Sequence, residues 1–220
     1  MSQNESVKDR RKYQRVLVEP LSEGLITEIV DYGRTLLFDM SYEGAAIAQP
    51  KEKKLNDVGE AFVLHLKTAV DEAHLKAQVI RVNEEIVAIK FVEIDVAARI
   101  IIDRVVTDRI IGLNMSLISP KHYNANADFN EWYHGPKETN LYLWLQGGAL
   151  VRAQIDLASA SLVYEMDSFF FENKELDSKI FPKLNNQQIA LKVYAILQQM
   201  ETGTAALEQL KKIVAAHVQA

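Results

Sequence analysis

Three arginines fall within the segment Asp9-Arg10-Arg11-Lys12-Tyr13-Gln14-Arg15, and a carboxylate, a hydroxyl and a glycine are spaced along Asp39-Met40-Ser41-Tyr42-Glu43-Gly44. A guanidinium is a rigid fork. It meets a phosphate, or the O6/N7 edge of guanine, through paired hydrogen bonds, and it stacks on a base. A carboxylate accepts from the donor edge of guanine and a hydroxyl reaches a phosphate. A glycine permits a close backbone approach or a positive φ. Together the two clusters suit a small ligand that carries both phosphates and guanine bases. The plain alternatives are a solvated basic leader for the first cluster and an Asx-type turn for the second.

Other chemistries find less support. The five histidines, His65, His74, His122, His134 and His217, follow no metal-ligand spacing such as HExxH. With no cysteine, disulfides, thiolate nucleophiles and Cys-based metal sites are excluded. The chain lacks GxSxG, GxxxxGK[ST] and GxGxxG, the signatures of a nucleophile elbow, a nucleotide-hydrolysis loop and a dinucleotide fold. The acidic runs Glu84-Glu85 and Glu172–Asp177 read as solvated turns. No catalytic residue is assigned, and the reading is of a protein that is not an enzyme and carries no cofactor or metal.

The bulk properties constrain the partners. The 220 residues carry a net charge of −5, so no global basic field favours a nucleic acid polymer or an anionic membrane, and an anion site has to be local. Residues 1–15 lack an apolar signal segment, and Ile100–Ile111 is interrupted by Asp103, Arg104, Asp108 and Arg109. The sequence is therefore read as cytoplasmic, without membrane insertion.

The elements that position these residues are mostly strands. Residues 1–10 read as a flexible leader. Period-two apolar runs then predict strands at 16–18, 25–30, 35–38, 45–48, 61–68, 75–82 and 86–91, separated by turn signals such as Tyr32-Gly33 and Asp57-Val58-Gly59. Asp95 reads as the N-cap of a helix over 96–111 that ends at Gly112, with Ala97, Ile101 and Val105 on one face. Residues 113–137 show no periodicity and read as a linker or long loop. Strands at 141–145, 151–157 and 161–166 follow, then a helix over 187–200 capped by Asn185 or Asn186, and a second over 205–218. The fold class is mainly β with α. So many short strands at this spacing suggest a small antiparallel β-barrel or sandwich, with a helix, over 11–112, and a smaller α+β C-terminal region, short antiparallel strands then two helices, occupies 138–220.

Arg11-x-x-x-Arg15 and Asp39-x-Ser41-x-x-Gly44 resemble the RxxxR and (D/N)xSxxG motifs of the PilZ domain family. Gly44-Ala45-Ala46-Ile47 is similar to that family's entry into the following strand. Ala88-Ile89-Lys90-Phe91-Val92-Glu93-Ile94, followed by a helix, is similar to its closing strand and terminal helix. The resemblance spans about residues 8–112. It implies a six-stranded antiparallel β-barrel plus helix over 11–112 and a bacterial second-messenger receptor for cyclic di-GMP, with Arg10, Arg11, Arg15, Asp39, Ser41 and Gly44 as ligand-binding residues. It also implies an output in motility, biofilm or polysaccharide control through a protein partner. Arg10 precedes the motif, where the resemblance implies an influence on whether one ligand or a stacked pair binds; an exposed arginine without a role is the alternative. Arg81 is read as a surface cross-strand partner of Glu85 or Glu93, with an approach to the ligand as the alternative. The competing functional reading is a PilZ-like scaffold that acts by protein contacts without nucleotide.

The C-terminal half shows two further features. Trp132-Tyr133-His134-Gly135-Pro136-Lys137 reads as a packed corner between the two halves, with a binding surface as the alternative. Phe169-Phe170-Phe171 reads as the end of a buried strand, with an anchor for a partner as the alternative. The apolar stripes of the last two helices serve equally for packing on the barrel or for a homodimer.

Overall fold

The computed structural model describes residues 14–18, 25–68, 71–123, 127–175, 183–201 and 203–219. Its first half is one curled, open sheet of eight strands, two more than the six-stranded barrel that the resemblance implies and one more than the seven apolar runs predict, and a second sheet of six follows. The eighth strand arises where the chain bends inside a run that looks continuous. The predicted strand at 35–38 divides at Leu36, which is 51% exposed, into the end of one strand and the start of the next.

The first sheet comprises β1 (Val16–Leu17), β2 (Ile26–Ile29), β3 (Gly33–Thr35), β4 (Leu37–Met40), β5 (Gly44–Ala48), β6 (Ala61–Lys67), β7 (Glu72–Val82) and β8 (Ile86–Glu93). Its order is β1-β4-β5-β8-β7-β6-β2-β3, antiparallel throughout. Alternation sets the inner face: Phe62, Leu64 and Leu66 from β6 meet Ala73, Leu75, Ala77 and Val79 from β7. β2 and β3 are joined by a tight turn in which Asp31 adopts φ 69° and Gly33 φ 84°.

Helix α1 (Val96–Leu113) closes this core. Asp95 caps it, its carboxylate accepting from Ala98 N at 2.7 Å, and Ile101, Ile102, Val105 and Val106 bury completely. Ala98, rather than the expected Ala97, lies on the buried face, and the helix runs past Gly112 to an Asn114 cap.

The second sheet comprises β9 (Ser116–Leu117), β10 (Glu131–His134), β11 (Asn140–Gln146), β12 (Ala149–Asp156), β13 (Ala160–Glu165) and β14 (Ser168–Asn173), paired in the order β14-β13-β12-β11-β10-β9. The stretch 113–137 is thus not structureless. It holds β9, a 3-10 turn at Pro120–His122 and β10, each too short to announce itself by alternation. Helices α2 (Asn186–Gln199) and α3 (Ala205–Gln219) cover one face of this sheet. Asn185 starts α2 with a reciprocal capping box to Gln188. Leu141, Leu143, Ile155 and Leu162 pack there with Ile189, Val193, Leu197, Leu207 and Leu210. The helix stripes are therefore used within the chain, and Ile111 of α1 joins the same core.

The two halves meet where α1 lies against α2. A Cβ on Gly112 would stand 2.0 Å from the Ile196 carbonyl, so only glycine lets the helices approach this closely. Lys192 pairs with the buried Asp108 at 2.9 Å beside that contact. Among the described residues no helix is long and apolar enough to cross a membrane.

Candidate functional site

The register between β1 and β4 builds the site. Val16 opposes Met40, and both are fully buried. Leu17 opposes Asp39, so Asp39 faces outward. Arg15 lies two residues before Leu17 and shares its outward face. It crosses diagonally to Asp39, Nη1 to Oδ1 at 2.6 Å. Both side chains keep 21–25% of their surface. A guanidinium from the first motif and a carboxylate from the second thus meet on the outer face of the barrel, 24 residues apart in sequence. Arg10 and Arg11 lie outside the described residues.

Ser41 and Gly44 shape the turn that follows Asp39. Ser41 N donates to Gly44 O at 2.8 Å, Ser41 Oγ donates to the same oxygen at 3.2 Å, and Glu43 N donates to Ser41 Oγ at 3.4 Å. Ser41 is buried, with its hydroxyl engaged inside the turn. Gly44 does not adopt positive φ; it serves close approach. A Cβ there would lie 2.2 Å from Ile89 O, so β5 could not sit in register against β8 with any other residue.

The same turn is fastened to α1 by a residue the sequence did not single out. Tyr42 Oη lies 3.0 Å from Thr107 Oγ1 and donates to Asp103 at 3.2 Å. Burial, followed by the charge of Asp103, holds the Tyr42 hydroxyl above the usual tyrosine value, so it stays a donor. Arg81 does not form the expected pair: it opposes Ala88 across the ladder, while Glu93 is taken by Lys76 at 2.8 Å.

β1 is also gripped from both halves of the chain. It is an edge strand, so the free side of Leu17 needs partners. Gln199 of α2 supplies both: Leu17 N donates to Gln199 Oε1 at 3.3 Å, and Gln199 Nε2 donates to Leu17 O at 3.1 Å. Arg109 of α1, 2% exposed, donates to the same carbonyl through Nε at 3.0 Å and to Val105 O through Nη1. These contacts span 92 and 182 residues of sequence, and no local pattern reveals them. The sequence carries two Asp-Arg pairs in this helix, Asp103-Arg104 and Asp108-Arg109, and nothing in their spacing marks the second as the buried one.

The aromatic segment divides between its two readings. Tyr133 is buried in the second core, its hydroxyl near Thr204 and donating to Glu131, and Gly135 packs closely on Met115 just beyond α1. Trp132 lies on the face of the sheet opposite the helices, against Tyr123 and Phe129. Of the three phenylalanines, Phe169 and Phe171 pack toward the second core beside His217, and Phe170 is 58% exposed.

The family model for the PilZ domain matches residues 9–108. Among solved structures, an uncharacterized Legionella protein shares 19% identity over 44% of this chain and 99% of its own length, with a TM-score of 0.34. The Borreliella burgdorferi protein PlzA, crystallised in complex with c-di-GMP, shares 13% identity over 83% of this chain and 93% of its own, with a TM-score of 0.30. No curated protein matches the chain.

Proposed function

We propose, from the premise that residues 9–108 are a PilZ domain, that this protein is a non-enzymatic receptor for cyclic di-GMP. The observation that carries the reading is the meeting of Arg15 and Asp39 on one exposed face, beside the Ser41–Gly44 turn. Arg15, with Arg11 from the preceding segment, clamps phosphate and guanine, and Asp39 accepts from the other guanine edge. Asp39 holds Arg15 in place, so part of the guanidinium's orientation is set by the fold. Residues 11–112 form the ligand unit, and residues 113–220 carry the output to a protein partner in motility, biofilm or polysaccharide control, in a bacterial cytoplasm. Arg10 neutralises the phosphates of a second, stacked ligand.

Calorimetric titration with cyclic di-GMP, against cyclic AMP and GTP, tests this directly. Saturable binding is expected for cyclic di-GMP alone, at two ligands per chain; a ratio of one removes the role given to Arg10. Charge-assisted contacts contribute about 1.5–3 kcal/mol each, so Arg15→Ala weakens binding by about tenfold or more. The Arg15–Asp39 pair is partly exposed and contributes below ~1 kcal/mol to folding, so the variant's melting temperature stays close to wild type. Undiminished affinity in Arg15→Ala contradicts the assignment. No binding at all leaves the scaffold that acts by protein contacts.

A further inference from the structure

The geometry points to a second ligand site, on the face of the second sheet that α2 and α3 leave uncovered, built for a neutral oligosaccharide. Leu141, Leu143, Ala153 and Ile155 turn inward to the helices, so the alternate residues of β10–β14 turn outward. Register aligns them in rows. Trp132, Tyr142 and Gln154 form one, and Trp144, Arg152 and Glu165 form the next. The Trp132 and Tyr142 rings are stacked with centroids 6.2 Å apart, and Phe129 lies across Trp132, Tyr142 and Trp144.

At the end of this aromatic platform is a cavity of about 530 Å³, within the usual size range of small-molecule sites. Trp144, Gln146, Val151, Arg152, Glu165 and Asp167 help to line it. Arg152 and Glu165 are directly opposed across neighbouring strands, where opposite charges normally pair, yet no ion pair joins them. The Arg152 guanidinium lies instead over the Trp144 ring, 4.6 Å from its centre. Its Nε is shut off from solvent with no hydrogen-bond partner. A donor fork and a carboxylate therefore stand side by side, neither committed to the other, at the wall of a cavity that Trp144 also lines.

The mixture of groups selects the ligand class. An anion needs donors, and a cation needs acceptors. A sugar hydroxyl both donates and accepts, and it is best met by carboxylates, an amide and a guanidinium together. One face of a pyranose ring presents C–H groups that rest on an apolar wall, which Val151 and Met166 supply, with Trp144 lining the same cavity beneath the Arg152 guanidinium. Charge excludes the polyanions that aromatic sheets also bind. Among the strand residues on this face Arg152 is the only lysine or arginine, against Asp156, Glu165 and Glu172. Tyr123 and Phe129 pack on the row of Trp132 and Tyr142 and brace it; the cavity lining itself crosses three strands, a span of about 10 Å, so a short oligosaccharide fits better than a monosaccharide.

The chain's two tryptophans, Trp132 and Trp144, make the test direct. In Trp132→Phe the remaining indole, Trp144, reports on the cavity through its emission. Cellohexaose, laminarihexaose and chitohexaose are titrated against inorganic triphosphate and heparin, with cyclic di-GMP binding followed as an independent check on the fold. A saturable change with at least one neutral hexasaccharide, and none with the two polyanions, is expected. Asp167→Asn and Arg152→Ala then weaken it by about tenfold or more while leaving cyclic di-GMP affinity and melting temperature unchanged. Asparagine tolerates the positive φ of 57° at position 167. The proposal is overturned if no neutral hexasaccharide changes the emission, if a polyanion does so in their place, or if both variants bind as wild type.

Discussion

Gly44 stands in the second of the two proposed ligand motifs, but the structure gives it a task in the sheet, and Gly44→Ala separates the two. The alanine Cβ would be 2.2 Å from Ile89 O and 3.3 Å from Lys90 Cα, both backbone atoms of β8 that cannot rotate away. Reaching an ordinary contact of about 3.4 Å requires β5 and β8 to separate locally by ~1.2 Å. The neighbouring bond from Phe91 N to Glu43 O, now 2.8 Å, would stretch to about 4 Å and be lost. The turn bond from Ser41 N to Gly44 O, also 2.8 Å, is pulled by the same shift. Two ladder or turn bonds at ~1 kcal/mol each, plus roughly 1–3 kcal/mol of overpacking, give about 3–5 kcal/mol of destabilisation. For a chain of this length each kcal/mol lowers the melting temperature by about 2–4 °C, so a drop of roughly 10 °C is expected. Circular dichroism melts of the ligand-free protein measure it. An alanine variant that melts within about 2 °C of wild type and yet fails to bind cyclic di-GMP would refute the reasoning and place the glycine's role at the ligand.

The remaining expectations concern the contact between the halves and the buried tyrosines. Gln199→Ala strips the Leu17 N–H of its partner and removes one of two side-chain donors to its carbonyl. A loss of about 1–3 kcal/mol in denaturant titration is expected, with faster hydrogen exchange at the Leu17 amide. Gly112→Ala drives a methyl into the Ile196 carbonyl and should destabilise the chain by more than ~3 kcal/mol; a neutral effect would mean that α1 and α2 are not packed at this point. Tyr42 and Tyr133 both carry a hydroxyl pushed above the ordinary value near 10, by burial first and then by Asp103 and Glu131 respectively. Because the folded value exceeds the unfolded one, the stabilisation is complete below about pH 10 and is lost as pH climbs through the folded value. Absorbance titration of the phenolates should show both ionising late, and Tyr42→Phe should remove one late step.

Much of the strand pattern was legible because it is local. Alternation placed β6, β7 and β8 to within a few residues, and Asp95 and Asn185 announced their helices as caps. The eight-stranded count was not legible, since β3 and β4 are divided only by a bend at Leu36 that tertiary pairing imposes. β9 and β10 were hidden for a related reason: strands of two and four residues carry too little periodicity to be read. At the site, residue types marked Arg15 and Asp39, and the fold brings them to 2.6 Å. The choice between the two reasons for a glycine at 44 depended on a strand 45 residues away, and only coordinates could make it. The clamp on Leu17 and the unpaired Arg152–Glu165 row lay beyond sequence reasoning for the same cause, because both are properties of register rather than of spacing along the chain.

The placement of β1 explains why the two halves have to be considered together. A two-residue strand has little stability of its own, and its inner pairing with β4 satisfies only one side. On the other side, the peptide groups of Leu17 are met by one amide from α2 and one guanidinium from α1, three bonds of about 1 kcal/mol each. Gln199 thereby does for β1 what a neighbouring strand would do, offering an acceptor and a donor at once. Arg109 in turn is held by Val105 O on its own helix, and that helix is held against α2 by the Gly112 contact and the Asp108–Lys192 pair. Arg15 stands two residues upstream of this clamp, so the direction in which its guanidinium leaves the barrel is set by a side chain near position 200 as well as by Asp39. The cationic end of the candidate ligand site is therefore positioned by the C-terminal half of the chain, although no residue of that half belongs to either motif.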